Sequence, residues 1–516
     1  MIARRKAVDA DSIIGVFQRI PLSPLYVVAA LGLVAVGLID PSDWRLMAAA
    51  LTAVFFNTAT ALLLLRIWPT AIAVLGVALT YVQQAVALVG ICVGGSLGYF
   101  DEIGTYRILV GNEIWVLLLL CMVSIAALVV LAGRQLFLGR ARPADPTRSF
   151  QEVAQDGRLE ILLIAGAVFT LLFWAGGELG LGLLRAVFLT LQRAFMFVPF
   201  LAGFYFRVSR PATIIWVFTV LTNLGLGIVT GSRGPAFVPL IVFSLGVLMG
   251  ATARQRWLIF GLMVVLAMPG AYIFGMIESI RGSVGRLQIT EITMAKVMEV
   301  SSQLKVGKEI SKDPYEQLPT WVRANYRMLT WPAVVVAAST GGEGPFRGFS
   351  DLPQQIGASI NIVSLTGEMS EYYNEGLYNL RAADYGFRVD TGTSVEFGFL
   401  AESWDRGGPV SALVYALVAI AVLALIEAGV RYALVDNPAL RTVAVSVIFT
   451  TSFWTLNIYN LPLSLRQIPV NLIICYLVFG VVSLLAAKTV VRRIKTRPGF
   501  RRHPRLIRPE SLEDAP

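Results

Sequence analysis

The sequence predicts an all-α, polytopic membrane protein with about twelve transmembrane helices and one large extramembranous loop between the ninth and the tenth. Three observations carry that prediction. The 516 residues are 56% hydrophobic and only 15% charged, against about 25% charged in an average soluble domain. Mean hydropathy is +0.69. Apolar runs recur along the chain at the length a bilayer core demands, about 20 residues per helix. The same numbers exclude a soluble globular domain, a disordered chain and a fibrous protein.

The runs fall at 24–40, 46–65, 70–92, 112–132, 159–177, 184–206, 212–229, 236–252, 257–276, 409–427, 442–459 and 467–487. The first follows Arg4, Arg5 and Lys6 but precedes no small-residue cleavage site, so it reads as an anchor rather than a signal peptide. Cys92, Cys121 and Cys475 sit inside apolar runs and read as packing residues, with no disulfide framework. The single histidine, His503, lies in a basic tail, which excludes histidine catalysis or a His-rich metal site elsewhere.

Charge sets the expected orientation. With both termini cytoplasmic, 25 of the 43 lysines and arginines fall on the inner side, among them Arg66, Arg134, Arg431 and nine in the tail from Lys488 to Arg508. The net charge of +10 is then inner-leaflet anchoring on membrane lipids, and nucleic acid need not be invoked. The expected organisation is nine spans over 1–276, a loop domain over 277–408, three spans over 409–487 and a basic cytoplasmic tail over 488–516.

The loop of about 130 residues exceeds what a connector needs and is expected to be functional. It holds 16 of the 33 acidic residues against 12 basic ones. Residues 290–306 suit a surface helix. Residues 320–340, TWVRANYRMLTWPAVVVAAST, have Trp321, Tyr326 and Trp331 flanking Arg323 and Arg327. Two readings stand side by side there: a helix at or re-entering the membrane surface, or one packed on the loop's own small core. Residues 364–409 are rich in Tyr, Gly and acids. Tyr372, Tyr373, Tyr378 and Tyr385 can stack on sugar rings, or serve as interfacial tyrosines of a solvated loop.

Two helix starts are candidates for anion binding. GSRGP, residues 231–235, opens the eighth span, where Pro235 suits the first helical turn. Free N–H groups and the dipole end then favour an anion, and Arg233 adds a fork matched to phosphate. DRGGP, residues 405–409, repeats the design with Arg406 before the tenth span. Further arginines are Arg281, Arg286, Arg347, Arg381 and Arg388 in the loop, and Arg193 in the sixth span, where a charge is costly and faces a cavity or a partner. With no histidine outside the tail, acid–base work falls to carboxylates. Glu402 and Glu396 lead, Glu402 being close before Pro409, and Glu368 and Glu371 follow. Their scatter shows no metal-ligand spacing, and neither a metal nor another cofactor is expected.

These residues resemble the Wzy-type polymerases of O-antigen, capsule and exopolysaccharide. TGSRGP at 230–235 resembles that group's Ser-Arg-Gly turn. FLAESWDRGGPVSAL resembles its stretch before a late span, with Glu402, Trp404 and Gly407 as the matched positions and Asp405 and Arg406 departing from the usual asparagine and aromatic. Arg381 and Gly392 satisfy an arginine–ten residues–glycine pattern of the group. The resemblance covers spans seven to ten and the loop. It implies a GT-C-like glycosyltransferase of the bacterial inner membrane, acting at the periplasmic face on undecaprenyl-diphosphate-linked glycan, with a chain-length regulator as a typical partner. O-antigen ligase is the nearest rival, although such ligases use a loop histidine that this chain lacks. A secondary transporter or lipid-linked glycan flippase comes third, since no internal repeat is evident. A membrane acyltransferase comes last.

Overall fold

A computed structural model describes residues 22–68, 72–100, 104–138, 157–178, 194–206, 210–230, 233–250, 318–329, 331–353, 398–455 and 461–496, with a few isolated positions between them. All regular structure among the described residues is helical. The helices are α1 (Leu22–Leu38), α2 (Asp43–Ile67), α3 (Ile72–Ser96), α4 (Gly104–Leu109), α5 (Glu113–Leu138), α6 (Gly157–Glu178) and α7 (Phe197–Phe204). They continue as α8 (Arg210–Thr230), α9 (Arg233–Gly250), α10 (Thr320–Met328), α11 (Trp331–Thr340), α12 (Phe399–Ala433), α13 (Pro438–Thr455) and α14 (Leu461–Thr496).

Six stretches are long and apolar enough to cross a membrane: Asp43–Ile67, Ile72–Ser96, Glu113–Gln135, Ala212–Thr230, Phe399–Ala433 and Ser464–Val481. The protein is therefore a helical, multi-pass membrane protein. Ten of the twelve apolar runs coincide with described helices over most of their length. Of the run 184–206 only α7 is a described helix, and the run 257–276 lies outside the described residues.

Local chemistry explains the helix ends. Ser42, with extended φ of −169°, accepts from the N–H of Arg45 at the start of α2, where Asp43 complements the dipole and Arg66 does so in the last turn. The start of α3 is capped from another helix. Glu427 of α12 accepts the N–H groups of Ile72 and Ala73 at 3.1 and 2.9 Å and the guanidinium of Arg431 at 2.7 Å.

Pairwise contacts fix helix directions. Arg45 lies 3.7 Å from Glu113 at the start of α5, and Asn57 meets Ser124 further along, so α2 and α5 run parallel. Thr80 of α3 donates to the carbonyl of Phe453 on α13 at 3.2 Å, with Phe449 beside Gly76 one turn earlier; these two are parallel as well. The Glu427 cap makes α12 antiparallel to α3. The starts of α2, α5 and α12 and the end of α3 thus gather at one end of the bundle. Arg66, Arg431 and Arg134, the last 5.2 Å from the Trp68 ring, share the opposite end.

Two apolar clusters fill the interior. One joins α2, α3, α5, α11 and α12; the other joins α6, α7, α8 and α13. Cys92, Cys121 and Cys475 are buried free thiols within these clusters, as packing residues. At the crossing of α7 and α9, glycine faces helix backbone on both sides: a Cβ on Gly203 would collide with the Phe243 carbonyl, and one on Gly246 with that of Phe200. Close approach of this kind supplies van der Waals packing where no hydrophobic drive exists between helices in lipid.

A polar knot ties three helices at mid-bundle. Asn57, fully buried, donates to the Leu120 carbonyl at 3.0 Å and to the Tyr81 carbonyl at 3.4 Å, and accepts from Ser124 at 2.6 Å. Replacing Asn57 by leucine should cost about 1–2 kcal/mol, because the Ser124 hydroxyl loses its acceptor in an apolar core. Thermal unfolding of the detergent-solubilised variant checks this, and an unchanged midpoint would show that the knot adds no stability.

The stretch 320–340 belongs to the main bundle rather than to a loop core of its own. α10 sits on the last turns of α3, with Val322 beside Gly94 and Asn325 beside Gly90. α11 carries the run Ala333–Ala338 buried against α5 and α12. Its small and β-branched side chains permit that close packing. α12 begins at Phe399, ahead of the expected start at 409, and α14 continues past 487 to Thr496.

Candidate functional site

The site is built where α12 breaks. Gly407 (φ −158°, ψ 26°) and Gly408 (φ 70°, ψ −158°) are non-helical, and the helix resumes at Pro409. The break divides α12 into a buried segment, Phe399–Arg406, and the apolar span that follows. It also strands backbone acceptors. The carbonyl of Asp405 would normally bond the N–H four residues on, but Pro409 has none. A strap at 341–351, following α11, fills the gap: Arg347 N–H donates to the Asp405 carbonyl at 2.8 Å and Gly348 N–H to the Arg406 carbonyl at 3.0 Å. Phe346 and Phe349 lie against Gly408 and Gly407. The Trp404 indole N–H donates to the Gly341 carbonyl at 3.0 Å, and its ring stands edge-on to Trp115 of α5 at 6.1 Å.

Docking the strap assembles five charges. Arg406, its side chain fully buried, makes a bidentate pair with Asp351 at 2.6 and 3.1 Å. It also donates to Glu402 Oε1 at 3.0 and 3.3 Å and to the Gly348 carbonyl at 3.1 Å. Arg347 approaches Asp405 at 3.3 Å, Asp351 at 3.5 Å and Glu402 at 3.6 Å. These are ion-pair contacts; its Nε and Nη2 make no hydrogen bond among the described residues. Among the described residues, three carboxylates thus face two guanidinium groups, a formal balance of −1.

Burial works to raise the Asp351 carboxyl, but the Arg406 hydrogen bond and the charges of Arg347 and Arg406 together outweigh it and hold it below its ordinary value. A carboxyl lowered on folding stabilises the fold above its unfolded value. That contribution is lost as pH falls through the folded value, so the pair is fully effective at neutral pH.

The two arginines differ in what they have left to offer. Arg406 spends its donors on Asp351, Glu402 and a carbonyl, and orients Glu402. Arg347 is 13% exposed, more open than Glu402 at 1%, and its contacts with the carboxylates are ion pairs of 3.3–3.6 Å.

The structure therefore brings together Glu402, Arg406 and Arg347 among the residues the sequence singled out. It adds Asp351 and Asp405, which the sequence reading passed over. Asp351 could have been found by its spacing of four from Arg347; Asp405, adjacent to Arg406, carried no such spacing signal. Arg233 opens α9 as expected, with Pro235 in the first turn, but its side chain lies outside the described residues. So do Glu396, Arg281, Arg286, Arg381, Arg388 and Arg193, together with Glu368, Glu371 and the tyrosines at 372–385. Gln192, next to Arg193, lines a small gap with Thr170, Trp174, Phe195, Pro199 and Pro239, with room for little more than a water molecule. Among the described residues no group of acidic, cysteine or histidine side chains could hold a metal ion. No family model, curated protein or solved structure matches this chain.

Proposed function

We propose that the chain is a membrane glycosyltransferase that polymerises undecaprenyl-diphosphate-linked oligosaccharide repeat units into a surface polysaccharide. In this reading it has twelve spans, a GT-C-like arrangement, both termini in the cytoplasm and its loop at the periplasmic face of the inner membrane. The observation that supports it is the buried carboxylate Glu402, oriented by Arg406 and Arg347 where α12 breaks at the foot of the long loop. The reaction needs a group that accepts or orients the proton of a sugar hydroxyl, and cations for a leaving diphosphate. The acceptor hydroxyl oxygen bonds to the anomeric carbon of the donor, the bond from that carbon to the diphosphate oxygen breaks, and Glu402 takes the hydroxyl proton. Arg347, with Arg233, meets the departing diphosphate, while Arg406 acts through Glu402 by positioning it. No nucleotide or metal enters this scheme.

The test is deletion of the gene in its own host, followed by gels of lipid-linked and surface glycans. Single repeat units in place of a ladder are expected. An intact ladder stranded on the carrier lipid would make the chain a ligase; units trapped on the cytoplasmic face, or no glycan change, would make it a transporter. Complementation with Glu402→Ala or Arg233→Ala should restore normal membrane levels but no long chains. Normal chain length in both would sink the site assignment.

A further inference from the structure

Among the described residues, Arg323 is a charge without a counter-charge. It sits on α10 at the end of the bundle where α3 finishes, and it is only 9% exposed. Its Nε is buried without a hydrogen-bond partner. From Leu318 to Gly342 the chain has no carboxylate at all. The indole N–H of Trp331, at the start of α11, is likewise buried without an acceptor. Tyr326 links the two: it follows Arg323 by three residues, on the same side of the helix, and packs edge-on against Trp331 at 4.6 Å.

A buried guanidinium is costly unless paired, and most buried donors are paired. Two buried donors and one positive charge, with no acceptor among the described residues, make this seam complementary to an anion. Arginine's planar fork fits phosphate oxygens in particular. The place is separate from the ionic cluster. α11 lies between them, with Trp331 at its start and the Gly341–Asp351 strap after its end, and its 10 residues span about 15 Å. Arg347 and Arg406 there already face carboxylates; Arg323 does not.

We propose that Arg323 and the Trp331 indole form a second anion-binding site, for a phosphate group, at the seam of α10 and α11 over the end of α3. The phosphate is either borne by a lipid headgroup or free in solution. The site stands on its own geometry, whether or not the chain polymerises glycans.

Thermal unfolding of the full chain in detergent, titrated separately with inorganic phosphate and with short-chain phosphatidylglycerol, tests this. At least one probe should raise the unfolding temperature. A response to phosphatidylglycerol alone assigns the site to lipid headgroups, and a response to inorganic phosphate shows that the free anion suffices. Arg323→Gln should need about tenfold or more of the probe for the same shift, since a charge-assisted hydrogen bond is lost. Trp331→Phe should weaken binding in the same direction. Asn57→Leu, at mid-bundle and away from both clusters, should unfold at a lower temperature but shift with the probe as the parent does. If the Arg323→Gln protein is not recovered, Arg323→Lys replaces it and must also lose affinity. No response to either probe, or an equal response in the Arg323 variant, would overturn the proposal. The binding readout is independent of glycan length, so the site and the polymerase reading fail separately.

Discussion

Arg406→Met should destabilise the protein by about 3–5 kcal/mol, the cost of removing one partner from a buried ion pair, and, under the proposed glycosyltransferase reading, abolish long-chain product. The residue is fully buried, and three groups depend on it: Asp351, Glu402 and the Gly348 carbonyl. Its loss leaves Glu402 and Asp351 without the guanidinium they share, while Arg347 stays within 3.6 Å of both. Arg406→Lys keeps the charge but cannot make the bidentate pair with Asp351 while reaching Glu402, so it should recover part of the stability and little activity. The double variant Arg406→Met with Asp351→Leu should cost less than the two single changes summed, because the carboxylate stranded by the first is absent in the second. Arg347→Gln makes the informative contrast. Its ion pairs are longer and its side chain is partly open. Under the glycosyltransferase reading it should keep most of the stability and lose most of the activity. Thermal unfolding of solubilised protein and glycan gels from complemented cells read the two effects apart. An Arg406→Met protein with parental unfolding and a parental ladder would show that the cluster neither holds the strap nor orients Glu402.

What the sequence revealed of this arrangement follows from which interactions are local. Apolar runs report helices because each span must satisfy its own backbone and face lipid or packed neighbours over about 20 residues. That is why ten of the expected runs coincide with described helices. The break at 407–408 was legible too, since Gly-Gly-Pro after a charged turn predicts a helix start at Pro409. The buried turn of helix before it was not. Phe399–Arg406 carries four charged or polar residues in eight, and its burial depends on the strap and on α5 and α11, none of which is near in sequence. The Arg406–Asp351 pair spans 55 residues, so no periodicity could announce it. Arg406 looked like a phosphate ligand because its partners lay out of sight; the structure shows a cation already engaged. Arg323 illustrates the converse. Flanked by Trp321, Tyr326 and Trp331, it lay in a stretch that read either as a helix at or re-entering the membrane surface or as one packed on a loop core. The packing of α10 on α3 is a tertiary fact, and it leaves Arg323 only 9% exposed.

Gly408 is where a single methyl group should do the most damage for its size. Its φ of 70° and ψ of −158° lie in a region that is essentially glycine-only, at a cost of about 1–3 kcal/mol for other residues. A Cβ there would also stand 2.5 Å from the Phe346 ring, which the strap holds in place through the Arg347 and Gly348 hydrogen bonds. Gly408→Ala therefore has two ways to relax, and both disturb the site. Turning the backbone towards helical angles moves Phe399–Arg406 relative to the span, while pushing Phe346 aside lifts the strap and with it Arg347 and Asp351. The expected result is loss of stability together with loss of long chains. Phe346→Ala added to Gly408→Ala removes the collision but leaves the strained φ, so it should restore only part of either. Gly407→Ala is the control. Its φ of −158° is ordinary extended backbone and its nearest neighbour would be the Ser411 Cβ at 3.0 Å, so the cost should be smaller. Equal effects at the two glycines would mean that crowding alone governs the break. A larger effect at Gly408, with incomplete rescue by Phe346→Ala, would show that the left-handed turn itself holds Glu402 and Arg406 against the strap.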